Sequence, residues 1–490
     1  RQWREYERAN SAVLSAYVRA TIARYLTNLG TALSGEGVKG AVYAMQSNGG
    51  LASFAQAQAQ PLTLVELGPA GGVAGAVQIG RIANEADVLY LDVGGTTAKC
   101  ALVRGGRPEL NTEYKLEWTR QFPGYPVQVP VVDIVEIGAG GGSMAWFDAA
   151  GSLKVGPVSA GAEPGPACYA RGGTAATVTD AKLVAGVIDP ENFAGGRMRL
   201  DVGLAERALQ PVAERLGRGV AGAADAIIQV VEAGMINALK LVTVQRGHDP
   251  RDLALVASGG GGPMHAAALG RELGVKRIIV PPYAGLFSAW GMLAALPRLD
   301  LRRTLLMPAD AAALTAIAEI FAGLQDEAAT EMPGAKLRFR PLIEMRYAGQ
   351  EHTVRVAIEL AGLTLASLLE AFHAAHERAY TFRLQETAAE LVTFHLEVEQ
   401  LAPRVDLPRL DPAGRSFEGA RRGSRDLLLD NGNAREPATV FDRDLLPIDM
   451  AMAGPVLIEE ASTTTMVLPG QAARIDCGSS TPSRASTKRA

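Results

Sequence analysis

Two glycine-rich segments carry the residue types that hold phosphate groups. The first, DVGGTTAK at 92–99, lies between the apolar stretches VLYLDV and KCALV. Two adjacent glycines let backbone N–H groups point into one small space, and Thr96 and Thr97 add hydroxyl donors, so the pattern predicts a phosphate-binding hairpin tip. Asp92 is a candidate for holding Mg²⁺ or for orienting an attacking oxygen. Lys99 is either a further phosphate partner or faces solvent from an extended strand. The alternative for the whole segment is a plain β-hairpin with a Gly-Gly turn.

The second segment, SGGGGP at 258–263, follows the apolar stretch DLALVA. Four glycines let a flat ligand lie against bare backbone, and the N-terminus of a following helix can meet a phosphate. A flexible linker is the alternative. The position between a buried strand and a helix favours the binding loop.

Two other nucleotide-binding patterns are excluded or disfavoured. The chain has no Gly-Lys dipeptide, so it has no G-x-x-x-x-G-K-[ST] loop. GAGGGS at 138–143 looks like a dinucleotide fingerprint, but Ser143 stands at its third glycine position. The alternating residues that follow predict a strand where that fingerprint requires a helix.

For most of the other reactive side chains, a structural role is expected ahead of a chemical one. Cys168 has no evident base to activate it, and Cys100 is expected in the core. His373 and His376 lack further ligands for a metal. His265, just after the second segment, either orients groups in a cleft or packs a helix.

Three carboxylates are candidates for supporting a metal: Asp133, Glu136 and Asp180.

The periodicity of apolar residues predicts an α/β layered fold. Helices are expected at 1–34 (with Val13 and Tyr17 on its apolar stripe), 51–60, 69–83, 222–245, 263–273, 310–330 and 364–380. Strands are expected at 38–47, twice within 87–103, within 131–159, and at 252–257, 276–280, 336–347, 351–359 and 391–401. From about 403 the chain is rich in Pro, Gly and Arg and poor in strand signals, apart from a β element at 454–470. The polar tail 478–490 is expected to be disordered.

Composition narrows the functional class. Lys and Arg number 48 and Asp and Glu 52 in 490 residues, so no basic excess favours nucleic acid. Three cysteines are too few for a disulfide framework and fit a reducing, cytoplasmic setting. No apolar run reaches the ~18 residues of a membrane span. The first residue is Arg rather than Met, which is expected of a fragment of a longer gene product.

The two glycine segments together resemble the phosphate and adenosine loops of the actin-like ATPase superfamily. The whole chain apart from its tail is similar to the hydantoinase A/oxoprolinase family, whose relatives include components of acetone and acetophenone carboxylases. The resemblance is carried by these stretches: MQSNGGLAS (45–53), GPAGGVAGA (68–76), LDVGGTTAK (91–99), DIVEIGAGGGS (133–143), VGPVSAGAEPGPACYARGGT (155–174), TVTDAKLVAG (177–186), GGGGPMHAAALGRELGV (259–275), VPPYAGLFSAWG (280–291), MRYAGQEHTV (345–354) and GPVLIEEASTTTMVLPG (454–470).

The resemblance implies a fold of actin-like, ribonuclease-H-like α/β lobes with a smaller α+β C-terminal module. It implies ATP with Mg²⁺ or Mn²⁺ as cofactors, used to phosphorylate a carbonyl or enol oxygen of the substrate. Asp92 and Thr96 are then the catalytic residues, with Asp92 also the metal ligand. The nucleotide-binding residues are Gly94, Gly95, Thr96, Thr97, Gly259, Gly260, Gly261 and Gly262. The segments GPAGG (68–72) and GAGGGS (138–143) are expected to line the same cleft.

The expected function is ATP-dependent hydrolysis of a cyclic amide of the hydantoin or 5-oxoproline type. The chain is then the hydantoinase A-type component of a two-component hetero-oligomer, with a hydantoinase B-like partner and without nucleic acid or membrane partners. The alternatives are a component of an ATP-dependent ketone carboxylase and a non-catalytic truncated scaffold. An actin-like sugar kinase is disfavoured, because the family stretches do not resemble that branch.

The chain departs from the family pattern in the missing earlier loop, at Lys182, and at Leu296, which stands where an Asp is common. The family carries an earlier DxGGTxTD-type loop within an N-terminal segment of ~180 residues, about one further domain, and this chain has no such loop before Asp92. Lys182 stands where Asn or Asp is more usual. The expected domains are the remainder of a first lobe (1–86), a second lobe (87–296), an α+β module (297–402), a C-terminal β-rich segment (403–477) and the tail (478–490).

Overall fold

The computed structural model describes residues 4–117, 119, 121–402, 405–408, 410–429 and 434–476. They form two compact units, each built from three separate stretches of chain. The first unit takes in the described residues of 1–67, 110–131 and 295–404. The second unit takes in those of 68–109, 132–294 and 405–490. The domain limits expected from the sequence stay a prediction, and the tail at 478–490 lies outside the described residues.

The first unit begins with a long helix, Glu5–Gly35, which confirms the predicted helix at 1–34. Its burial differs from the prediction, because Val13 and Tyr17 are 67% and 84% exposed, whereas Leu26 is buried. The strand expected at 38–47 covers only Tyr43–Met45. It pairs with a second short strand, Leu51–Ser53, at the start of the expected helix.

That second helix is only Phe54–Ala59, because Ser53 and Gln56 form a capping box that sets its first residue.

An antiparallel four-stranded sheet completes the first unit. Its strand order is Arg298–Pro308, Ala389–Gln400, Leu337–Tyr347 and Val354–Ala357. The helices Ala313–Glu331 and Leu365–Tyr380 pack on one face, where Phe321 and Phe394 meet with ring centroids 5.9 Å apart. The strands and helices expected between 310 and 401 are thereby confirmed.

The other face of this sheet is charged, because side chains alternate between the two faces along each strand. Arg298 contacts Asp300 and Glu397 there, and Glu344 contacts His395 and Arg355. This charged face was not predicted from the sequence, although the alternation of charged and apolar residues in RLDLRR and HLEVEQ signals it.

The second unit is built around a mixed sheet. Its main strand order is Ile134–Ile137, Ala98–Arg104, Val88–Val93, Ala254–Ser258 and Arg277–Ile279, with the short strand Arg107–Pro108 beside Ala98–Arg104. Val88–Val93 and Ala254–Ser258 run parallel, and Val88–Val93 and Ala98–Arg104 form an antiparallel hairpin. Except for Asp92, every residue of Val88–Val93 is at most 1% exposed, which explains the nearly continuous apolar run in its sequence.

Helices pack around this sheet: Leu67–Ile82, Val178–Val184, Val202–Leu216, Val220–Val242, Gly262–Leu273 and Phe287–Ala294. The face of Val220–Val242 that carries Ile227, Val231 and Met235 is buried in the core of the unit. Within the described residues, the run Val220–Arg246 is the one helix long and apolar enough to cross a membrane. Packing against the core accounts for that apolar face.

A second sheet of this unit lies near the C-terminus, with strand order Arg421–Leu429, Ala434–Asp442, Val456–Glu460 and Thr463–Val467. The β element predicted at 454–470 is confirmed, but the expectation of few strands between 403 and 454 is wrong. The strand Arg421–Leu429 is polar in sequence because it contains several arginines. Arginines fit in this strand because they form ion pairs, such as that of Arg425 with Asp189 and Glu459.

Candidate functional site

The first glycine loop, residues 94–97, joins the two strands of the central hairpin. The Gly94 N–H donates to the Thr97 carbonyl at 3.0 Å, which closes the loop. Gly94, Gly95 and Thr96 are exposed. A Cβ added to Gly95 would have no other atom within 4 Å, so open space lies beside the loop. The tight turn predicted between these strands is confirmed.

The second glycine loop, residues 138–143, packs directly against the first. The Gly141 N–H donates to the Gly94 carbonyl at 3.0 Å, and the Gly142 N–H to the Gly95 carbonyl at 2.6 Å. A Cβ on Gly140 would lie 2.6 Å from the backbone of Gly95 and Thr96, so this contact requires glycine. The strand Ser143–Phe147 follows, with no helix, which agrees with the rejection of the dinucleotide fingerprint.

The third glycine loop, residues 259–262, lies within the second glycine-rich segment of the sequence, 258–263. It follows the strand Ala254–Ser258 and leads into the helix Gly262–Leu273. Gly259 has a φ of +80°, and a Cβ there would lie 2.3 Å from the Val93 carbonyl oxygen and 2.4 Å from Oδ1 of Asp92. The Gly261 N–H donates to the Val93 carbonyl at 2.9 Å. The loop is therefore fixed against the end of the strand that carries Asp92, which is not how a flexible linker behaves.

Asp92 belongs to a row of polar residues in register across four strands. Glu136 faces Lys99, Lys99 faces Asp92, and Asp92 faces Ser258 on the parallel strand. Partners in register lie on the same face of a sheet. The row therefore brings two carboxylates, an ammonium group and a hydroxyl to one edge of the site.

The surroundings of Asp92 disfavour its ionised form. Burial raises the pKa of Asp92, and the Lys99 charge and contacts from Ser288 and Tyr90 offset that rise only in part. The Ser288 hydroxyl donates to Oδ2 of Asp92 at 3.4 Å. The hydroxyls of Ser258 and Tyr90 are 2.8 Å apart beneath it. A carboxylate with a raised pKa at the rim of an open space is a common property of functional sites.

Lys99 reaches the first glycine loop rather than open solvent. Its Nζ donates to Oγ1 of Thr97 at 2.6 Å and lies 2.9 Å from Oε1 of Glu136. Burial works to raise the pKa of Glu136, but the contacts with Lys99 and Thr97 lower it overall. Lys99 thus fixes the Thr97 side chain and is itself held by Glu136.

The segment GPAGG at 68–72 forms the first turns of the helix Leu67–Ile82, which confirms the helix expected at 69–83. A Cβ on Gly72 would lie 2.1 Å from the Tyr90 hydroxyl, and one on Gly71 would lie 2.8 Å from the Ser288 carbonyl oxygen. These glycines let two helices and Tyr90 pack closely. They support the residues that contact Asp92, and the expectation that this segment lines the ligand cleft stays a prediction.

The remaining candidates have structural roles. Asp180 is buried and accepts hydrogen bonds from the Thr177 side chain and the Cys168 backbone, which commits it to a helix cap. Asp133 pairs with Arg246. Burial and the Asp180 charge raise the pKa of the buried Cys168 thiol, which disfavours the reactive thiolate.

The other cysteine and two of the histidines are equally structural. Cys100 is fully buried, and burial raises its pKa to about 12. His373 bonds to the Tyr347 hydroxyl at 2.7 Å, and His376 to the Phe382 carbonyl at 2.9 Å. The preference for core or surface roles is confirmed for these residues.

The residues around Asp92 fit a nucleotide with Mg²⁺. Mg²⁺ usually takes one or two carboxylates, with phosphate oxygens and waters as its other ligands. Asp92 supplies one such carboxylate beside the exposed first loop. Across the described residues, no group of three or more His, Cys, Asp or Glu is arranged to hold a metal ion. A metal held by protein ligands alone is therefore not indicated in that part of the chain.

Two supporting features were not identified from the sequence. Tyr90 and Ser288 contact Asp92, but Ser288 lies 196 residues away in the chain. Lys182, Glu232 and His265 form a buried cluster on three helices. The sequence signals for the cluster were the unusual lysine at 182 and His265 after the glycine segment 258–263.

The fold and this site define a class: the α/β fold of the actin-like ATPases, with the glycine loops at the edge of its sheet. A family model described as hydantoinase/oxoprolinase matches residues 8–301. One described as the hydantoinase/oxoprolinase C-terminal domain matches residues 308–478. The chain belongs to the hydantoinase/oxoprolinase family, which confirms the resemblance found in its sequence.

The relatives include amide hydrolases and ketone carboxylases. The caprolactamase alpha subunit of Pseudomonas jessenii is 31% identical over 487 residues, covering 97% of this chain and 69% of the relative. The acetophenone carboxylase gamma subunit of Aromatoleum aromaticum is 29% identical over 497 residues, covering 96% and 66%. The crystal structure of the ATP-dependent caprolactamase from Pseudomonas jessenii superposes with a TM-score of 0.86 at 30% identity, covering 97% of this chain and 70% of that one.

Proposed function

We propose that this chain is the nucleotide-binding subunit of an ATP-dependent enzyme that hydrolyses a cyclic amide. The observation that carries the proposal is the convergence of the first and third glycine loops on Asp92, in a chain similar to an ATP-dependent caprolactamase. In this assignment Gly94, Gly95, Thr96 and Thr97 hold phosphates. Gly259, Gly260, Gly261 and Gly262 form the surface for adenosine.

Asp92 and Thr96 are the proposed catalytic residues. Asp92 holds Mg²⁺ or Mn²⁺, and Thr96 lies exposed on the loop where it can contact the transferred phosphoryl group. A divalent ion, when bound, neutralises charge that develops on that group. Phosphorylation of the amide carbonyl oxygen makes the ring carbon more reactive toward water.

The partner in this proposal is a hydantoinase B-like subunit in a cytoplasmic hetero-oligomer. Support comes from relatives that are themselves described as subunits. No role for nucleic acid or a membrane is proposed. The similarity to an acetophenone carboxylase subunit favours one second candidate, an ATP-dependent ketone carboxylase subunit.

The first test is calorimetric titration of ATP and Mg²⁺ into this chain, alone and together with the partner subunit. Binding in either case supports the nucleotide site. Binding in neither case favours a scaffold role.

Turnover tests the chemistry and the role of Asp92. We expect the complete complex to open a lactam such as caprolactam or 5-oxoproline with release of ADP, and Asp92→Ala to lower this rate by at least about 100-fold. A matched control is Asp133→Ala, which removes a carboxylate already paired with Arg246. Unchanged turnover in Asp92→Ala contradicts the site, and bicarbonate-dependent use of a ketone instead of a lactam favours the carboxylase.

A further inference from the structure

A buried ion-pair cluster joins three helices of the second unit. Lys182 lies on Val178–Val184, Glu232 on Val220–Val242 and His265 on Gly262–Leu273. Nζ of Lys182 is 3.2 Å from Oε1 of Glu232, and Nδ1 of His265 is 2.9 Å from the same oxygen. The Lys182 and His265 side chains are each only 2% exposed. Buried charges are tolerated when they are paired, so the cluster fixes the three helices at one point.

The cluster holds the first turn of the helix that follows the third glycine loop. Nζ of Lys182 also donates to the Met264 carbonyl at 3.1 Å. Met264 and His265 are the second and third residues after Gly262, the last residue of that loop. Gly261 at the other side of the turn is held by the Val93 carbonyl. The loop is thus anchored to the sheet on one side and to Lys182 and Glu232 on the other.

The helix that carries Lys182 contacts the second glycine loop near its other end. The Thr179 N–H and hydroxyl both donate to the Gly141 carbonyl at 2.8 Å. The Gly141 N–H donates in turn to the Gly94 carbonyl of the first loop. All seven residues of Val178–Val184 are buried. This short helix therefore contacts two elements of the site. One is the second glycine loop, which supports the first, and the other is the start of the helix that follows the third loop.

We propose that Lys182 is a positioning residue for the third glycine loop, acting through the Met264 carbonyl and the Glu232–His265 pair. The inference rests on the proposed function, in which the third loop takes adenosine and the first takes phosphates. Lys182 touches neither ligand. Its loss therefore lowers affinity for the adenosine part of ATP and leaves affinity for a bare phosphate chain.

The test compares ATP with inorganic tripolyphosphate, each with Mg²⁺, by calorimetric titration of the natural full-length protein. Lys182→Met keeps the length of the side chain and removes its charge. The double variant Lys182→Met/Glu232→Gln also removes the carboxylate that would otherwise lose its main partner. Lys240→Met is the matched control, because Lys240 is exposed on the same helix as Glu232.

We expect the Kd for ATP to rise about tenfold in both Lys182 variants, and the Kd for tripolyphosphate to change by less than about twofold. Equal losses for the two ligands would assign Lys182 to general support of the unit and overturn the inference. An unchanged Kd for ATP in the Lys182 variants would also overturn it. In both cases the proposed function stands as long as the wild-type protein binds ATP. If the wild-type protein binds no ATP, the proposed function fails and this inference with it.

Discussion

Ionisation of Asp92 carries a cost for the folded protein. Burial raises its pKa, and Lys99, Ser288 and Tyr90 compensate only in part. A group with a raised pKa binds a proton more readily in the folded than in the unfolded state. Its contribution to stability therefore falls as the pH rises from the unfolded-state pKa through the raised one. Residues kept at such a cost are typical of functional sites.

Asp92→Asn is expected to stabilise the nucleotide-free protein at pH 7 while abolishing turnover. The amide has a similar shape and carries no charge to desolvate, so the melting temperature should rise by about 1–3 °C in calorimetry. The control is Asp249→Asn, because Arg251 holds the pKa of the exposed Asp249 carboxyl down to about 2. A lower melting temperature for Asp92→Asn would show that the Asp92 charge supports the fold.

In contrast to Asp92, Glu344 on the charged sheet face of the first unit has a lowered pKa. Burial works to raise its pKa, but His395 at 3.0 Å and Arg355 at 3.4 Å outweigh burial, and the pKa falls from 4.5 to about 2. A lowered pKa adds stability above the unfolded-state value. That stability is lost as the pH falls from about 4.5 towards 2.

Glu344→Gln is therefore expected to remove part of the acid sensitivity of the protein. Between pH 6 and pH 3 the wild type should lose about 2 kcal/mol more stability than the variant, measured from urea unfolding midpoints. Glu370→Gln, at a carboxylate with a side chain 70% exposed, serves as the control. Equal pH dependence in wild type and Glu344→Gln would contradict the assignment.

At the scale of elements, the site depends on loops that touch through their main chains. The second glycine loop donates two backbone hydrogen bonds to carbonyls of the first, and the third loop donates one to the Val93 carbonyl. No side chain lies between the first two loops at Gly140, where a Cβ would meet the backbone at 2.6 Å. The second loop therefore sets the shape of the first without being part of its exposed surface.

Gly140→Ala is expected to weaken phosphate binding although Gly140 is not among the proposed ligands. The new methyl group displaces Gly95 and Thr96, so we expect the Kd for tripolyphosphate to rise about tenfold or more, and stability to fall by about 1–3 kcal/mol. Gly323→Ala is the control, because a Cβ there meets no atom within 4 Å. Unchanged tripolyphosphate binding in Gly140→Ala would mean that the second loop does not control the first.

Local patterns predicted the hairpin around Asp92 and the strand, loop and helix around Gly259, because each lies within one short stretch of sequence. The row from Glu136 to Ser258 could not be predicted, since it depends on the register between strands that lie far apart in the chain. The contact of Ser288 with Asp92 and the partners of Lys182 could not be predicted for the same reason. The C-terminal sheet was underestimated because ion pairs, rather than apolar alternation, cover much of its first strand.

At the scale of the whole molecule, a bound ligand should raise the thermal stability of the protein. A ligand at 100 times its Kd adds about 2.7 kcal/mol to the free energy of unfolding. We expect ATP with Mg²⁺ to raise the melting temperature in differential scanning fluorimetry, and ATP with EDTA to raise it much less. The reason is that the Asp92 carboxylate repels phosphate oxygens when no cation lies between them.

The control for this experiment is Mg²⁺ without nucleotide, which should leave the melting temperature nearly unchanged. An equal shift with ATP in the presence and absence of EDTA would contradict the metal role of Asp92.

The third glycine loop also receives a contact from near the end of the chain. The hydroxyl of Thr463 donates to the Gly260 carbonyl at 2.9 Å across 203 residues of sequence. During synthesis the ribosome must therefore add 203 residues after Gly260 before this contact can form. A product that stops before Thr463 and folds around its central hairpin lacks that support. Nucleotide binding would then distinguish chains that include this strand from chains that stop before it.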